Sequence, residues 1–159
     1  HYRERGMHAT NGILFNHESK RRGGGFVTQK IARGIASIVS GKSNELVLGN
    51  LDAKRDWGHA KDYCTAMHLL MQHQADDYVI ASGEMHTVRE FCDIAFRYVN
   101  LDYKDYVKVS KEFFRPTEVN ALCGDASKAR HLGWKPEIAF NDLIAEMVDQ
   151  ALWEESHSV

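Results

Sequence analysis

The chain has 159 residues, of which 43% are hydrophobic and 26% are charged, and its formal charge is -2. This length and composition suit one sizeable core, or a large piece of one domain. The small net charge excludes a global attraction to nucleic acid or to an anionic membrane, so an anion site must be a local basic cluster. The three cysteines are far apart and odd in number, which predicts reduced thiols and no metal site. We expect a soluble cytoplasmic protein, because neither a membrane span nor a signal peptide is recognisable.

The predicted elements of the first half alternate between helix and strand. HYRERG predicts the last turns of a helix that ends at Gly6. The apolar centre of residues 8–16 predicts a strand buried on both faces of a parallel sheet. Apolar residues at helical spacing predict a helix from Val27 to Val39, and residues 46–49 predict a short strand.

The same alternation continues through the second half of the chain. Residues 59–72 predict a helix, and residues 77–83 predict the strand after it. Thr87 and Glu90 form a capping box at the start of another helix. A short helix from Asp125 to Gly133 and a final amphipathic helix around residues 143–151 complete the pattern. Strands separated by helices predict an α/β fold.

Two glycine-containing stretches do not match known phosphate-binding motifs. ASIVSGKS at 36–43 has Ala36 where a P-loop has its first glycine, and it follows a helix instead of a strand. RRGGGF at 21–26 lacks the spacing of a dinucleotide fingerprint. No H-E-x-x-H motif occurs, so the histidines are expected at the surface or in packing.

Three other stretches carry side chains suited to an anionic, hydroxyl-rich ligand. The first is NHESKRRGGGF at 16–26, which directly follows the first strand, at the edge where α/β sheets bind ligands. Asn16 and His17 supply an amide and an imidazole, and Arg21 and Arg22 precede glycines whose amides can bind an anion. The alternative interpretation is a mobile basic loop.

The second stretch is GNLDAKRDWGHAKDY at 49–63, where we expect Arg55 in a strand-to-helix connection. Its planar guanidinium suits a diphosphate, and Asp56 is the expected partner that holds it in place. A solvated helix start is the alternative. The third stretch is FFRPTEV at 113–119, where Arg115 and Glu118 supply one donor and one acceptor around a stiff proline and the two aromatics form a hydrophobic anchor.

These stretches, together with YVIASG and LGWKP, occur in an order that resembles the GDP-mannose 4,6-dehydratase family of extended short-chain dehydrogenases/reductases. The strings NGILFNHES and AKRDWGHAKDY carry most of the resemblance, which covers essentially the whole chain. It implies conversion of GDP-mannose to GDP-4-keto-6-deoxymannose and water with NADP. The implied steps are oxidation at C4, loss of water across C5 and C6, and hydride return to C6.

The resemblance also implies roles for individual residues. On the family pattern, His17, Arg21 and Arg22 bind the cofactor in a homo-oligomer. The residues implied to line the GDP-sugar pocket are Asn16, Lys30, Arg55, Arg115 and Glu118.

The chain departs from the family in what it lacks. It contains no Tyr-x-x-x-Lys pair and no glycine-rich nucleotide loop. We therefore expect residues 1–159 to be the C-terminal part of the enzyme: a partial NAD(P)-binding Rossmann-like fold without its N-terminal nucleotide-binding portion, joined to the substrate-binding domain. We expect no catalytic residue in this part. A related GDP-sugar reductase or epimerase, or a non-catalytic nucleotide-sugar binding module, remains an alternative.

Overall fold

The computed structural model describes residues 1–114, 119 and 121–157. Helices and strands alternate along most of this chain. The strands are β1 (Asn11–Leu14), β2 (Asn16–Glu18), β3 (Leu46–Leu48), β4 (Lys54–His59), β5 (Asp77–Ile80), β6 (Met85–Thr87), β7 (Val107–Val109) and β8 (Ala121–Leu122). The helices are α1 (Val27–Val39), α2 (Ala60–Leu70), α3 (Val88–Tyr98), α4 (Tyr103–Tyr106), α5 (Ser127–His131) and α6 (Phe140–Ser156). Two 3-10 turns cover Arg3–Arg5 and Lys111–Phe113.

The strands of the described residues form three small sheets. β1 pairs with β5 in parallel, and β3 pairs with β7 in parallel. β4 is the centre of the third sheet, where it pairs in parallel with β2 and β8 and antiparallel with β6. Asn16 lies opposite Trp57 in this sheet, and Glu18 lies opposite His59. The central position of β4 brings the segment after β1 beside the stretch that carries Arg55.

The long helices confirm the periodicity of the sequence. α1 buries its apolar stripe completely at Ile31 and Ile35, against α6 and α3. Thr87 and Glu90 make both hydrogen bonds of the predicted capping box at the start of α3. The last helix is longer than its apolar stripe and extends over 17 residues.

Two buried clusters hold the fold together. The larger cluster lies between α1, α3 and α6 and contains Trp57 of β4. The smaller cluster joins α2, β5 and α5 around Tyr63 and Trp134. Because β4 and α2 are consecutive, the stretch 49–63 connects the two clusters. Within the described ranges, no helix is both long enough and apolar enough to cross a membrane.

Three expectations about secondary structure are corrected by the structure. The strand predicted over 8–16 divides at Phe15 into β1 and β2, and β1 is not buried on both faces, since Ile13 is 53% exposed. The only strand that pairs with β1 among the described residues is β5, so β1 belongs to a two-stranded sheet. The opening HYRERG forms one 3-10 turn instead of helical turns, although Gly6 ends it with a φ of 78° as a helix terminator does.

The third correction concerns Arg55. It lies within a strand of six residues that leads directly into α2, instead of in a connection between a strand and a helix. The sequence KRDWGH has no apolar run to predict a strand. Its buried Asp56 is instead stabilised by hydrogen bonds from distant parts of the chain.

Candidate ligand-binding site

The main cavity has a volume of about 520 Å³ and opens between β2, β4 and the start of α1. Three of the predicted substrate-binding residues line it: Asn16, Lys30 and Arg55. Its apolar wall includes Trp57, which is almost fully buried, and the half-exposed rings of Phe26 and Phe113. The cavity therefore offers an amide, an ammonium and a guanidinium beside aromatic surface, which suits a ligand with anionic and planar parts.

Arg55 is held at the cavity wall by backbone oxygens. Its Nη1 donates to the carbonyl of Lys54 at 2.7 Å and to the carbonyl of Val119 at 2.6 Å. These contacts fix the plane of the guanidinium in the wall that it shares with Trp57. The predictions for Arg115 and Glu118 fall on positions 115–118, which lie outside the described residues.

Asp56 does not have the predicted role of holding the Arg55 guanidinium. Its carboxylate is fully buried and accepts four hydrogen bonds: from Ser82 N at 2.8 Å, Ser82 Oγ at 2.7 Å, Gly83 N at 2.9 Å and Gly124 N at 3.1 Å. Neighbouring residues of a strand point to opposite faces. Asp56 therefore ties two distant loops to β4, on the side away from Arg55.

Lys30 makes a cation-π contact inside the cavity. Its Nζ lies 4.0 Å from the centroid of the Phe113 ring. Phe113 belongs to the 3-10 turn that precedes positions 115–118. Lys30 thus reaches across the cavity from α1 to an aromatic face.

The buried carboxylate of Glu18 holds the two ends of the loop after β2 through contacts with Arg22 and Thr28. Glu18 is 1% exposed, and its Oε2 accepts from Thr28 Oγ1 at 2.7 Å and lies 3.0 Å from Arg22 Nε. The Arg22 guanidinium in turn lies 3.4 Å from the centroid of the Phe26 ring. Burial raises the pKa of Glu18 above its ordinary value of 4.5, against the opposing effects of Thr28 and Arg22. Arg22 is therefore positioned between a carboxylate and an aromatic ring, inside the loop that it belongs to.

Arg21 lies apart from the main cavity. It lines a second cavity of about 260 Å³ with Lys20, Arg22 and Arg33, on the side where the loop meets α6. This second cavity also contains Glu154, whose Oε2 lies 3.7 Å from Arg33 Nη2. The predicted basic loop thus contributes to a separate, mainly cationic surface.

His17 has one ring nitrogen fixed by the backbone. Its Nδ1 lies 2.8 Å from the Phe15 carbonyl, and since a carbonyl only accepts, Nδ1 carries the proton and donates. Nε2 of the neutral ring therefore keeps its lone pair. The ring packs against Tyr63 at 5.1 Å, and both Asn16 and His17 line a third cavity of about 280 Å³. Burial and three nearby carboxylates raise the pKa of Tyr63, so its hydroxyl stays protonated.

Sequence reasoning missed the roles of Glu18 and Thr28. Glu18 ends the short strand β2, and a charged residue needs a partner if it is buried. Thr28 lies at the start of α1, but neither residue type by itself predicts a contact between them. Among the described residues, no group of three or more His, Cys, Asp or Glu could hold a metal ion.

The chain is similar in sequence to GDP-mannose 4,6-dehydratases. It is 55% identical over 154 residues to GDP-mannose 4,6 dehydratase 1 of Arabidopsis thaliana, and the match covers 95% of this chain and 43% of that relative. It is 48% identical over 161 residues to GDP-mannose 4,6 dehydratase of Homo sapiens, and the match covers 89% of this chain and 43% of that relative. The chain therefore spans less than half the length of these curated relatives.

Solved structures show the fold independently. RMD from Pseudomonas aeruginosa, complexed with NADPH, is similar with a TM-score of 0.88 at 23% identity, covering 96% of this chain and 51% of that one. dTDP-glucose 4,6-dehydratase from Bacillus anthracis, in complex with NAD, has a TM-score of 0.78 at 17% identity. The match covers 98% of this chain and 47% of that one. The chain thus has the α/β fold of these two solved structures. A family model described as GDP-mannose 4,6 dehydratase matches residues 1–147, and the chain belongs to that family.

Proposed function

We propose that the complete protein carrying this chain is an NADP-dependent lyase that converts GDP-mannose to GDP-4-keto-6-deoxymannose and water. The observation that carries the proposal is the convergence of Asn16, Lys30 and Arg55 on one cavity, in a chain of this family. The cavity volume of about 520 Å³ lies in the range of small-molecule sites.

Each of the three residues suits one part of the substrate. Arg55 presents a planar guanidinium whose orientation is fixed by two carbonyls, and such a fork matches a diphosphate. Lys30 adds a mobile point charge, and the Asn16 amide can both donate to and accept from sugar hydroxyls. Arg115 and Glu118 remain predicted contacts of the same ligand.

His17 and the cations of the loop after it line separate cavities, and each suits one part of a dinucleotide cofactor. The Nε2 lone pair of His17 can accept from a carboxamide or a ribose hydroxyl, and the exposed cations Lys20 and Arg21 suit phosphate. Arg22 supports the same loop through Glu18. NADP, when bound, supplies the hydride acceptor at C4 and the hydride donor at C6, while this chain binds and orients.

We further propose that residues 1–159 form the last strands of the Rossmann domain and the substrate-binding domain. The small size of the sheet of β1 and β5, with Ile13 exposed, supports a larger sheet in the complete enzyme. The catalytic Thr or Ser, Glu, Tyr and Lys then belong to the rest of the enzyme. We also propose that the enzyme is a cytoplasmic homo-oligomer.

The proposal is tested on the complete enzyme with GDP-mannose. NMR should identify a 4-keto-6-deoxy sugar as the product, the released cofactor should carry a 2′-phosphate, and light scattering should give a multiple of the subunit mass. A reduced or epimerised sugar would instead place the protein with the GDP-sugar reductases or epimerases. Binding without turnover would favour a non-catalytic module. The 159-residue chain alone should bind GDP without converting GDP-mannose.

A further inference from the structure

The contact between Lys30 and Phe113 covers an aromatic face inside the main cavity. Phe113 is 52% exposed, although it lines a cavity that also contains the buried Trp57. Lys30 Nζ lies over its ring at 4.0 Å. An ammonium above an accessible phenyl face contributes little stability, because the strongly hydrated lysine loses part of its water there.

The backbone turn that carries Phe113 is held in place by hydrogen bonds and close packing. Ser110 N donates to Leu48 O at 2.9 Å, and Phe113 N donates to Ser110 O at 3.3 Å. Gly49 packs directly against this turn, since a side chain at Gly49 would bring its Cβ to 2.5 Å from the Phe113 carbonyl oxygen. The ring therefore stands on a rigid support, whereas Lys30 has a flexible side chain that can leave it.

We infer that Phe113 is the stacking platform for the base of the nucleotide sugar, and that Lys30 covers this platform until the ligand's diphosphate draws the ammonium away. This inference rests on the proposed function, since it assigns the planar and anionic parts of the same ligand. A base stacks on an aromatic face more strongly than an exposed ammonium does. A phosphate attracts the ammonium more strongly than a phenyl ring does. On binding, Phe113 thus exchanges the ammonium for the base, and Lys30 exchanges the ring for the diphosphate.

The exchange makes opposite predictions for ligands with and without phosphate. Guanosine has to displace Lys30 from the ring and offers it no phosphate in return. In the complete enzyme, Lys30→Met should therefore strengthen guanosine binding about threefold, and weaken GDP binding at least about tenfold. Phe113→Leu should weaken the binding of both guanosine and GDP about tenfold, since the stacking face is lost.

Matched variants separate stacking from a general loss of structure. Phe113→Tyr keeps the face and should retain affinity within about twofold. Phe114→Leu removes a neighbouring ring that is 44% exposed and does not line the cavity. Calorimetry with GDP and saturation-transfer NMR with guanosine measure the affinities. The inference is overturned if Lys30→Met shifts both ligands in the same direction, or if Phe113→Leu behaves like Phe114→Leu. In either case GDP binding by the unmodified enzyme leaves the proposed function standing. Failure of the unmodified enzyme to bind GDP overturns both.

Discussion

Asp56 and Glu18 are both fully buried carboxylates of adjacent strands, but they are stabilised in different ways. Asp56 accepts from three backbone N–H groups and one serine hydroxyl, and these donors belong to two loops distant in sequence. Glu18 interacts with two side chains close in sequence, Thr28 and Arg22. Backbone donors are fixed when the chain folds, whereas side chains keep rotamer freedom. Asp56 therefore belongs to the framework, and Glu18 to an adjustable loop beside the site.

The difference also separates the two faces of β4. Asp56 points toward the loops at 82–83 and 124, while Arg55 and Trp57 line the cavity. One strand thus supports the fold with one face and the ligand with the other. Changes on the first face should lower the stability of the protein, and changes on the second should lower its affinity for the ligand.

The largest expected effect is on the framework carboxylate. Asp56→Ala removes the buried acceptor of four hydrogen bonds, and we expect a loss of roughly 3–5 kcal/mol in the free energy of unfolding. Urea unfolding of the chain, followed by tryptophan fluorescence, measures it. Asp56→Asn retains one acceptor oxygen and should lose less. A loss below about 1 kcal/mol for Asp56→Ala would mean that water replaces the carboxylate and that Asp56 is no framework residue.

Arg55→Ala tests the opposite face of the same strand. It should weaken GDP binding to the complete enzyme by about 1.5–3 kcal/mol, because charge-assisted hydrogen bonds to the diphosphate are lost. Calorimetric titration gives this number. Arg89→Ala is the matched control, since Arg89 forms a surface ion pair with Asp52 and does not line the cavity. Equal affinity of both variants would mean that Arg55 makes no contact with the ligand.

Glu18→Gln should have a smaller effect on stability, about 1–2 kcal/mol, which depends on pH. Because burial raises the pKa of Glu18 above 4.5, the folded state holds this proton to a higher pH than the unfolded state does. The ionisation of Glu18 therefore reduces stability as pH rises from about 4.5 through the folded-state pKa. This decrease should be absent in Glu18→Gln.

The difference between the two pH profiles isolates the effect of Glu18. The carboxyls with lowered pKa values contribute the opposite slope at more acidic pH and occur in both proteins: Asp76, Asp77, Asp125 and Glu155. Their contributions cancel when urea unfolding of both chains is compared between pH 4 and pH 8. Parallel profiles would show that Glu18 has the same pKa in the folded and unfolded chain.

The contrast between Asp56 and Glu18 also explains what the sequence could predict. α1 and α3 follow from apolar periodicity and a local capping box, because both signals lie within the helix itself. β4 does not follow, since the burial of Asp56 depends on Ser82, Gly83 and Gly124, which lie 26 to 68 residues further along the chain. Local residue types cannot report such distant donors.

The candidate site was predictable to a similar extent. Family resemblance implied Asn16, Lys30 and Arg55, and the structure brings all three to one cavity. The residues alone indicated only anion-binding chemistry, because they lie on separate elements whose approach depends on the pairing of β2 with β4. The Phe113 ring could be predicted as an anchor, whereas its contact with Lys30 required the packed structure.

The smallest expected effect tests how Thr28 stabilises the ionised form of Glu18. Thr28→Val keeps the side-chain shape and removes the hydroxyl that donates to Oε2 at 2.7 Å. At pH 8 we expect a loss of about 1 kcal/mol in the free energy of unfolding. A hydrogen bond to an ionised acceptor is roughly twice as strong as one to a neutral acceptor, so the loss should fall by about half at acidic pH, where Glu18 is protonated. Thr28→Ser retains the donor and should match the unmodified chain at both pH values. An equal loss for Thr28→Val at pH 4.5 and pH 8 would mean that the hydroxyl binds the neutral and the ionised carboxyl equally well, and that the charge of Glu18 is balanced by Arg22 without Thr28.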